Sequence, residues 1–113
     1  MVTDLHMPDR GDLVWLNFTP HAGHEQAGHR PALVVSPKEY NSKSSLALLC
    51  PVTSATRGYP FEVALPTSGP ISGVVLADQI RSLDWRARGL RFAAKAPPRV
   101  VAEVLGKVST LVG

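Results

Sequence analysis

Within ten residues, from His21 to Arg30, the chain carries three histidines, a glutamate and an arginine: His21, His24, Glu25, His29 and Arg30. Imidazole and carboxylate groups are the common proton carriers of general acid–base chemistry. A guanidinium is a permanently charged, planar clamp suited to phosphate. The stretch therefore combines groups for proton transfer with a group for holding an anion. A metal site is the competing use of the same side chains, and the spacing argues against it. His24-Glu25-Gln26-Ala27-Gly28-His29 is one residue too long for a His-Glu-x-x-His zinc helix. The five-residue separation turns the two imidazoles to different helix faces, and Gly28 with Pro31 opposes a helix altogether. No metal and no other cofactor is expected.

These side chains need a rigid support, and the next residues supply one. Arg30 abuts Pro31 and the apolar run Ala32–Val35, which is short, β-branched and bounded by a second proline at Pro37. That pattern reads as a buried strand running to Ser36, with Pro31 tolerated at its start. His29 and Arg30 thus stand where a polar loop, Thr19–His29, meets a sheet. Before the loop, Asp12–Phe18 forms a first strand with apolar residues on both faces. After the hub strand, Ser36-Pro37-Lys38-Glu39 has the form of a capping box and predicts a short helix over Pro37–Asn41. Leu46–Val52 is a third strand and Phe61–Leu65 a fourth, separated by the loop Thr53–Pro60. Gly73–Ala77 is a fifth, with a possible extension past Asp78 to Ile80. Ser82–Gly89 has no period and reads as a turn, followed by a short strand over Leu90–Ala94. Pro97-Pro98 opens one long amphipathic helix, with Val100, Val101, Val104, Leu105, Val108, Leu111 and Val112 on its stripe. Gly106, unfavourable inside a helix, is expected to permit a close contact.

One domain accounts for 113 residues. An apolar content of 44% with seven aromatic residues supports a packed core. The single cysteine, Cys50, lies in an apolar run and reads as an inert buried thiol. The first ten residues hold no apolar signal core, and no segment approaches the ~20 apolar residues of a membrane span, so a reduced, cytoplasmic protein without membrane contact is expected. Many short strands between Gly/Pro turns, with one terminal helix across them, predict a mainly β, α+β fold built on a small, strongly curved antiparallel barrel or paired sheets. Charge is uneven. Residues 1–78 hold five Lys/Arg against seven Asp/Glu, and residues 79–113 hold seven against two. The cations Arg81, Arg86, Arg88, Arg91 and Lys95, with Trp85 and Phe92 between them, suit a phosphate-rich partner whose bases can stack on rings. A solvated face explains the same charges without any partner.

Six segments, in order, give the chain a family resemblance: Gly11–Trp15; the hub Gly23-His24-Glu25-Gln26-Ala27-Gly28-His29-Arg30-Pro31-Ala32-Leu33-Val34-Val35-Ser36-Pro37; Cys50–Ser54; Gly58–Val63; Gly73–Gln79; and Trp85–Gly89. Together they resemble the MazF/PemK (Kid) toxins of type II toxin–antitoxin systems. The resemblance implies an SH3-like barrel, a homodimer, cleavage of single-stranded mRNA, and control by a small acidic MazE-like antitoxin. Operator DNA would be reached only through the antitoxin complex.

Metal-free RNA cleavage occurs when a ribose 2′-OH attacks its neighbouring phosphate, leaving a 2′,3′-cyclic phosphate and a 5′-OH. It requires a base, an acid for the leaving oxygen, and donors for the charge growing on the phosphoryl oxygens. The resemblance places the principal catalytic roles on Arg30 and Thr53, whose hydroxyl and nearby backbone N–H suit those oxygens. His24 matches the general base of PemK/Kid-type members, and Glu25 takes that place in other MazF branches. Asp78 matches a candidate acid, although Leu76 stands where that branch has an arginine, and a turn-capping carboxylate explains Asp78 equally well. Candidate RNA-binding residues are Thr19, His29, Arg57, Tyr59, Arg81, Trp85, Arg86 and Arg88. Two other readings use the same barrel. One is a non-enzymatic toxin of the CcdB kind, whose terminal Trp-Gly-Ile is unlike Thr110–Gly113 here. The other is a plain nucleic-acid-binding module, which would not require His, Glu and Arg on one loop.

Overall fold

The computed structural model describes residues 6–18 and 29–113; positions 19–28, with Thr19, His24 and Glu25, lie outside the described residues. Along the described residues run β1 (Asp12–Asn17), β2 (His29–Val34), α1 (Lys38–Ser44), β3 (Leu46–Thr53), β4 (Glu62–Ala64) and β5 (Val74–Leu76). A 3-10 turn (Ala77–Gln79), β6 (Arg81–Asp84), β7 (Arg91–Lys95) and α2 (Pro98–Val112) complete them. All pairings are antiparallel, in the order β4-β5-β3-β2-β1-β7, with β6 also on β3. The expected mainly β fold with a C-terminal helix is present. The sheet coils without closing, because β4 and β7 end it on opposite sides, so it is an open relative of a barrel.

Strand β3 organises this sheet. One edge pairs with β2, through Leu33↔Cys50 and Ala32↔Pro51. The other edge is divided, with Leu46–Leu49 on β6 and Val52–Thr53 on β5. Pro51 falls just where the partner changes. A proline has no N–H for a ladder bond, so it fits at this break. The same geometry corrects two expectations. The fifth strand stops at Leu76 instead of running on to Ile80, and the chain makes a 3-10 turn to reach the other half of β3. Residues 82–84, read as the start of a turn, instead form β6 together with Arg81; with only Leu83 buried, their own pattern is too short to announce a strand. The free edge of β3 imposes the extended conformation.

Alternation along the central strands sends side chains into two cores. Leu13, Leu33, Cys50 and Val52 face α2, where Val100 and Val104 are fully buried. Val14, Leu16, Ala32, Val34, Ala47 and Leu49 face the other way and are closed over by Leu83, Trp85 and Leu90. Both faces of β1 and β2 are thus covered, as their apolar runs require. The helix stripe holds for its first three turns. Leu111 and Val112, expected on it, are exposed. Gly106 also departs from expectation, since a Cβ there would meet nothing within 4 Å. Among the described residues no helix is long and apolar enough to cross a membrane.

The predicted capping box does not form. Ser36 lies before Pro37, the N-cap of α1, and makes no cap bond to the helix. Its hydroxyl instead donates to Asn41 Oδ1 and accepts from the N–H of Leu48 at 2.9 Å. Asp9, from the preceding segment, caps the helix by accepting from the N–H of Lys38 at 2.9 Å. Asn41 is fully buried, and its amide donates to the carbonyls of Pro8 (2.8 Å) and Ser36 (3.0 Å). Its own carbonyl accepts from Trp85 Nε1 at 3.1 Å. One short helix therefore ties the N-terminal segment, β3 and the tryptophan lid together. Asn41→Ala is expected to cost about 2–3 kcal/mol, because it strands several buried partners. Urea unfolding with an unchanged m-value measures this; a loss below about 0.5 kcal/mol, the range of an ordinary surface change, would contradict it.

Candidate active site

Arg30 and Thr53 come from different strands and meet through register. The β2–β3 ladder runs from Val34↔Leu49 to Ala32↔Pro51, and Arg30 and Thr53 lie two residues beyond that last pair. They line one cleft of about 350 Å³ together with Trp15, Pro31, Ile71 and Ser72. Arg30 is exposed, so its guanidinium carries no packing load.

Thr53 ends β3 and lies between two clefts. The second, of about 370 Å³, is lined by Thr53, Arg57, Tyr59, Glu62, Asp78 and Gln79, among others. Thr53 Oγ1 accepts the N–H of Ala55 at 3.1 Å, which fixes the hydroxyl oxygen and leaves its O–H to donate into the clefts. That neighbouring N–H orients Thr53 and does not itself face a ligand. Gly73 lets β5 approach this closely. It has φ +110°, and a Cβ there would lie 2.3 Å from the carbonyl oxygen of Thr53. Asp78 sits in the 3-10 turn, exposed, with no side-chain cap bond at that turn's start. The turn that ends the fifth strand early is what brings its carboxylate to the cleft of Thr53. Beneath this floor the thiol of Cys50 is pushed up to about 12 by burial, with the negative charge of Asp78 adding to it. Cys50 is thus inert at neutral pH, as expected.

The other candidates divide. Arg57 and Tyr59 flank the second cleft, and Tyr59 is 58% exposed. His29 is half-buried beside Gly89, and its Nε2 would lie 3.7 Å from a Cβ at that glycine. It lines neither of these clefts. Arg81 lies over the ring of Phe18 at 5.3 Å from its centroid. Trp85 is only 2% exposed, so its ring cannot stack on a base; it is the lid of a core. Arg86 covers that ring from outside at 4.7 Å. Arg88 donates to the backbone carbonyls of Asn17 (3.3 Å) and Phe18 (2.7 Å), so it braces the end of β1. His24, Glu25 and Thr19 fall outside the described residues.

Two residues at these clefts were not legible as site residues. Trp15 looks like core in the sequence, yet it is half-buried and lines the cleft of Arg30. Glu62 looks like the polar side of a half-exposed strand. Its carboxylate instead turns back onto the loop before it, accepting from Thr56 Oγ1 (2.8 Å), Arg57 N (2.9 Å) and Gly58 N (3.0 Å). A glycine four residues before the glutamate, with φ +75°, was the only available signal. The bond from the Arg57 N–H, followed by that from Thr56, holds the Glu62 carboxyl below the usual glutamate range.

Comparison with known proteins identifies the family. Residues 9–112 match the family described as PemK-like, MazF-like toxin of type II toxin-antitoxin system. The chain is 45% identical over 108 residues to the endoribonuclease toxin MazF of Escherichia coli K12, covering 96% of each protein. It is 39% identical over 107 residues to the Escherichia coli endoribonuclease PemK, covering 91% of this chain and 80% of PemK. The fold superposes on a MazE–MazF crystal structure from Deinococcus radiodurans with a TM-score of 0.87 and 54% identity, over 96% and 98% of the two chains. MazF alone from the same organism gives 0.86 and 60%, over 96% and 99%. With the family model spanning nearly all of it, the chain belongs to the PemK-like, MazF-like toxins of type II toxin–antitoxin systems.

Proposed function

We propose that this protein is an endoribonuclease toxin that cuts single-stranded RNA at specific sequences without a metal, by attack of the ribose 2′-OH on the adjacent phosphate. The observation that supports this best is the convergence of Arg30 and Thr53 on one open cleft. A guanidinium and a hydroxyl donor on a rigid sheet can hold the two non-bridging oxygens as negative charge grows on them. The flanking clefts leave room for the chain on either side of the cut. His24 or Glu25 takes the 2′-OH proton. Asp78, which lines a cleft with Thr53, returns one to the leaving 5′-oxygen, giving a 2′,3′-cyclic phosphate and a 5′-OH. Arg57 and Tyr59 bind RNA beyond the scissile phosphate.

The relatives crystallised with MazE suggest the partner. In our reading this toxin works as a cytoplasmic homodimer, is neutralised by a small acidic MazE-like antitoxin, and meets operator DNA only through that complex. The exposed arginines of residues 79–113 give an acidic chain somewhere to dock. Arg86 and Arg88 then differ in role. Arg86→Glu should weaken binding of RNA and antitoxin while the fold persists. Arg88→Glu should also destabilise the protein by releasing the carbonyls of Asn17 and Phe18. Equal affinity in Arg86→Glu and wild type at physiological salt would remove this surface from the account.

Incubating purified protein with single-stranded RNA and excess EDTA tests the reaction. Cleavage is expected to continue, with 5′-OH ends. Arg30→Ala should cut at least about 100-fold more slowly, the usual loss for one transition-state donor. Thr53→Ala should behave similarly and combine less than additively with it. Near-native cleavage by Arg30→Ala would remove it from the mechanism.

The base is assigned by pH. With His24 as base, kcat/KM should rise through about pH 6–7, where an unperturbed imidazole loses its proton. His24→Gln should erase that limb and Glu25→Gln should keep it. The reverse pattern would make Glu25 the base.

A further inference from the structure

Tyr59 and Arg57 project from a loop, residues 54–60, that has little else to fix it. Its residues are exposed, and Gly58 sits at φ +75° with no atom within 4 Å of where a Cβ would stand. Nothing packed around Gly58 therefore holds it in that conformation. What converges on the loop is one carboxylate. Glu62 opens β4, and its backbone N–H donates to the carbonyl of Tyr59 at 3.1 Å, closing a tight turn through Pro60. The turn aims the side chain backwards, where Thr56 Oγ1, Arg57 N and Gly58 N meet it. Successive N–H groups beside a left-handed glycine make a backbone nest, a concavity suited to an anion. Here the anion is supplied by the chain itself. A second tie fixes the far root of the loop, where Lys107 of α2 donates to the carbonyl of Pro60 at 2.6 Å.

We infer that Glu62 is a positioning residue for substrate binding: its carboxylate fills the nest of residues 56–58 and thereby holds Arg57 and Tyr59 beside the cleft of Thr53 and Asp78. Glu62 acts through the loop and not on the reacting atoms. Ordering the loop before RNA arrives removes an entropic cost from binding, so the effect belongs in KM more than in kcat. The charge matters as well as the shape. An ionised carboxylate accepts all three donors, whereas a glutamine has one accepting oxygen and turns an NH2 group toward the rest. The carboxyl of Glu62 is held below the ordinary value of 4.5. Its contribution is therefore fully present above that value and is lost only as pH falls through the lower folded one. The nest is filled at neutral pH.

The inference rests on the proposed RNA-binding role of Arg57 and Tyr59, and the test separates the two. The probe is a single-stranded RNA oligonucleotide spanning a site mapped by sequencing the 5′ ends of transcripts cut by the wild type. Glu62→Gln is expected to raise KM about tenfold with kcat within about twofold, the split that marks lost ground-state binding. In an Arg57→Ala/Tyr59→Ala background the same change should add no more than about twofold, because residues that act as a unit are not additive. Hydrogen exchange should show faster exchange at the Arg57 and Gly58 amides in Glu62→Gln, with β3 still protected. An unchanged KM, or the same tenfold rise in both backgrounds, would overturn the inference. Should Glu62→Gln fail to fold, Thr56→Val removes one exposed donor and should raise KM about threefold; no rise would likewise overturn it. If Arg57→Ala/Tyr59→Ala leaves KM untouched while Arg30→Ala still abolishes cleavage, the loop inference falls and the catalytic reading stands. If Arg30→Ala cleaves normally, the catalytic reading is the one that fails.

Discussion

Strand β3 has neighbours along both edges and a proline in its middle, and most of the molecule follows from that combination. Its N-terminal half serves β6 and its C-terminal half serves β5, with Pro51 at the change of partner. Going from one half to the other forces the chain to turn at residues 77–79. That turn carries Asp78 to a cleft at the end of β3, where Thr53 also shares a second cleft with Arg30 of the neighbouring β2. The proposed site is thus a consequence of register at one strand end. Shifting the β2–β3 register by a single residue would put Arg30 and Thr53 on opposite faces.

The basic C-terminal segment shows how little a cluster of charges says until it is placed. Arg86 lies over the outer face of Trp85, Arg88 is spent on backbone carbonyls at the end of β1, Arg81 lies over Phe18, and Lys95 pairs with the buried carboxylate of Asp12. In each case the charged head already has a partner within the fold. Arginine serves this double use because its planar fork can satisfy carbonyls or lie on a ring while keeping its charge. A phosphate-rich or acidic partner docking here, as proposed, would meet a surface whose positive charges are already oriented. Binding would then demand less ordering of the side chains that receive it.

Trp85 and Asn41 explain why this orientation persists in so small a protein. The tryptophan closes the second core, and its indole N–H is held by the helix that Asn41 anchors. A buried amide with every partner present fixes a unique arrangement, at the cost of being intolerant to change. The clefts lie at the opposite extreme, open to solvent and lined by exposed ends of strands and loops. Rigidity is concentrated in the cores and delivered to the site through strand ends.

The sequence by itself determined whatever depends on neighbours in the chain. The paired apolar faces of β1 and β2, the inert Cys50, the long terminal helix and the family, from six ordered segments, were all legible because period, burial and local motif are written in consecutive residues. Arg30 and Thr53 could be named through the resemblance. Their meeting could not be derived, since it depends on which residue of β2 pairs with which residue of β3. Tertiary structure alone made Trp85 a lid instead of a stacking platform, and gave Ser36 to Asn41 instead of to a helix cap. It also made a strand of residues 81–84, left Gly106 facing open space, and turned Glu62 back onto its own loop. Each of these is a choice between partners of similar local merit. A hydroxyl, a carboxylate or a ring goes to whichever partner the long-range pairing brings within reach, and that distance is not encoded in any short stretch of chain.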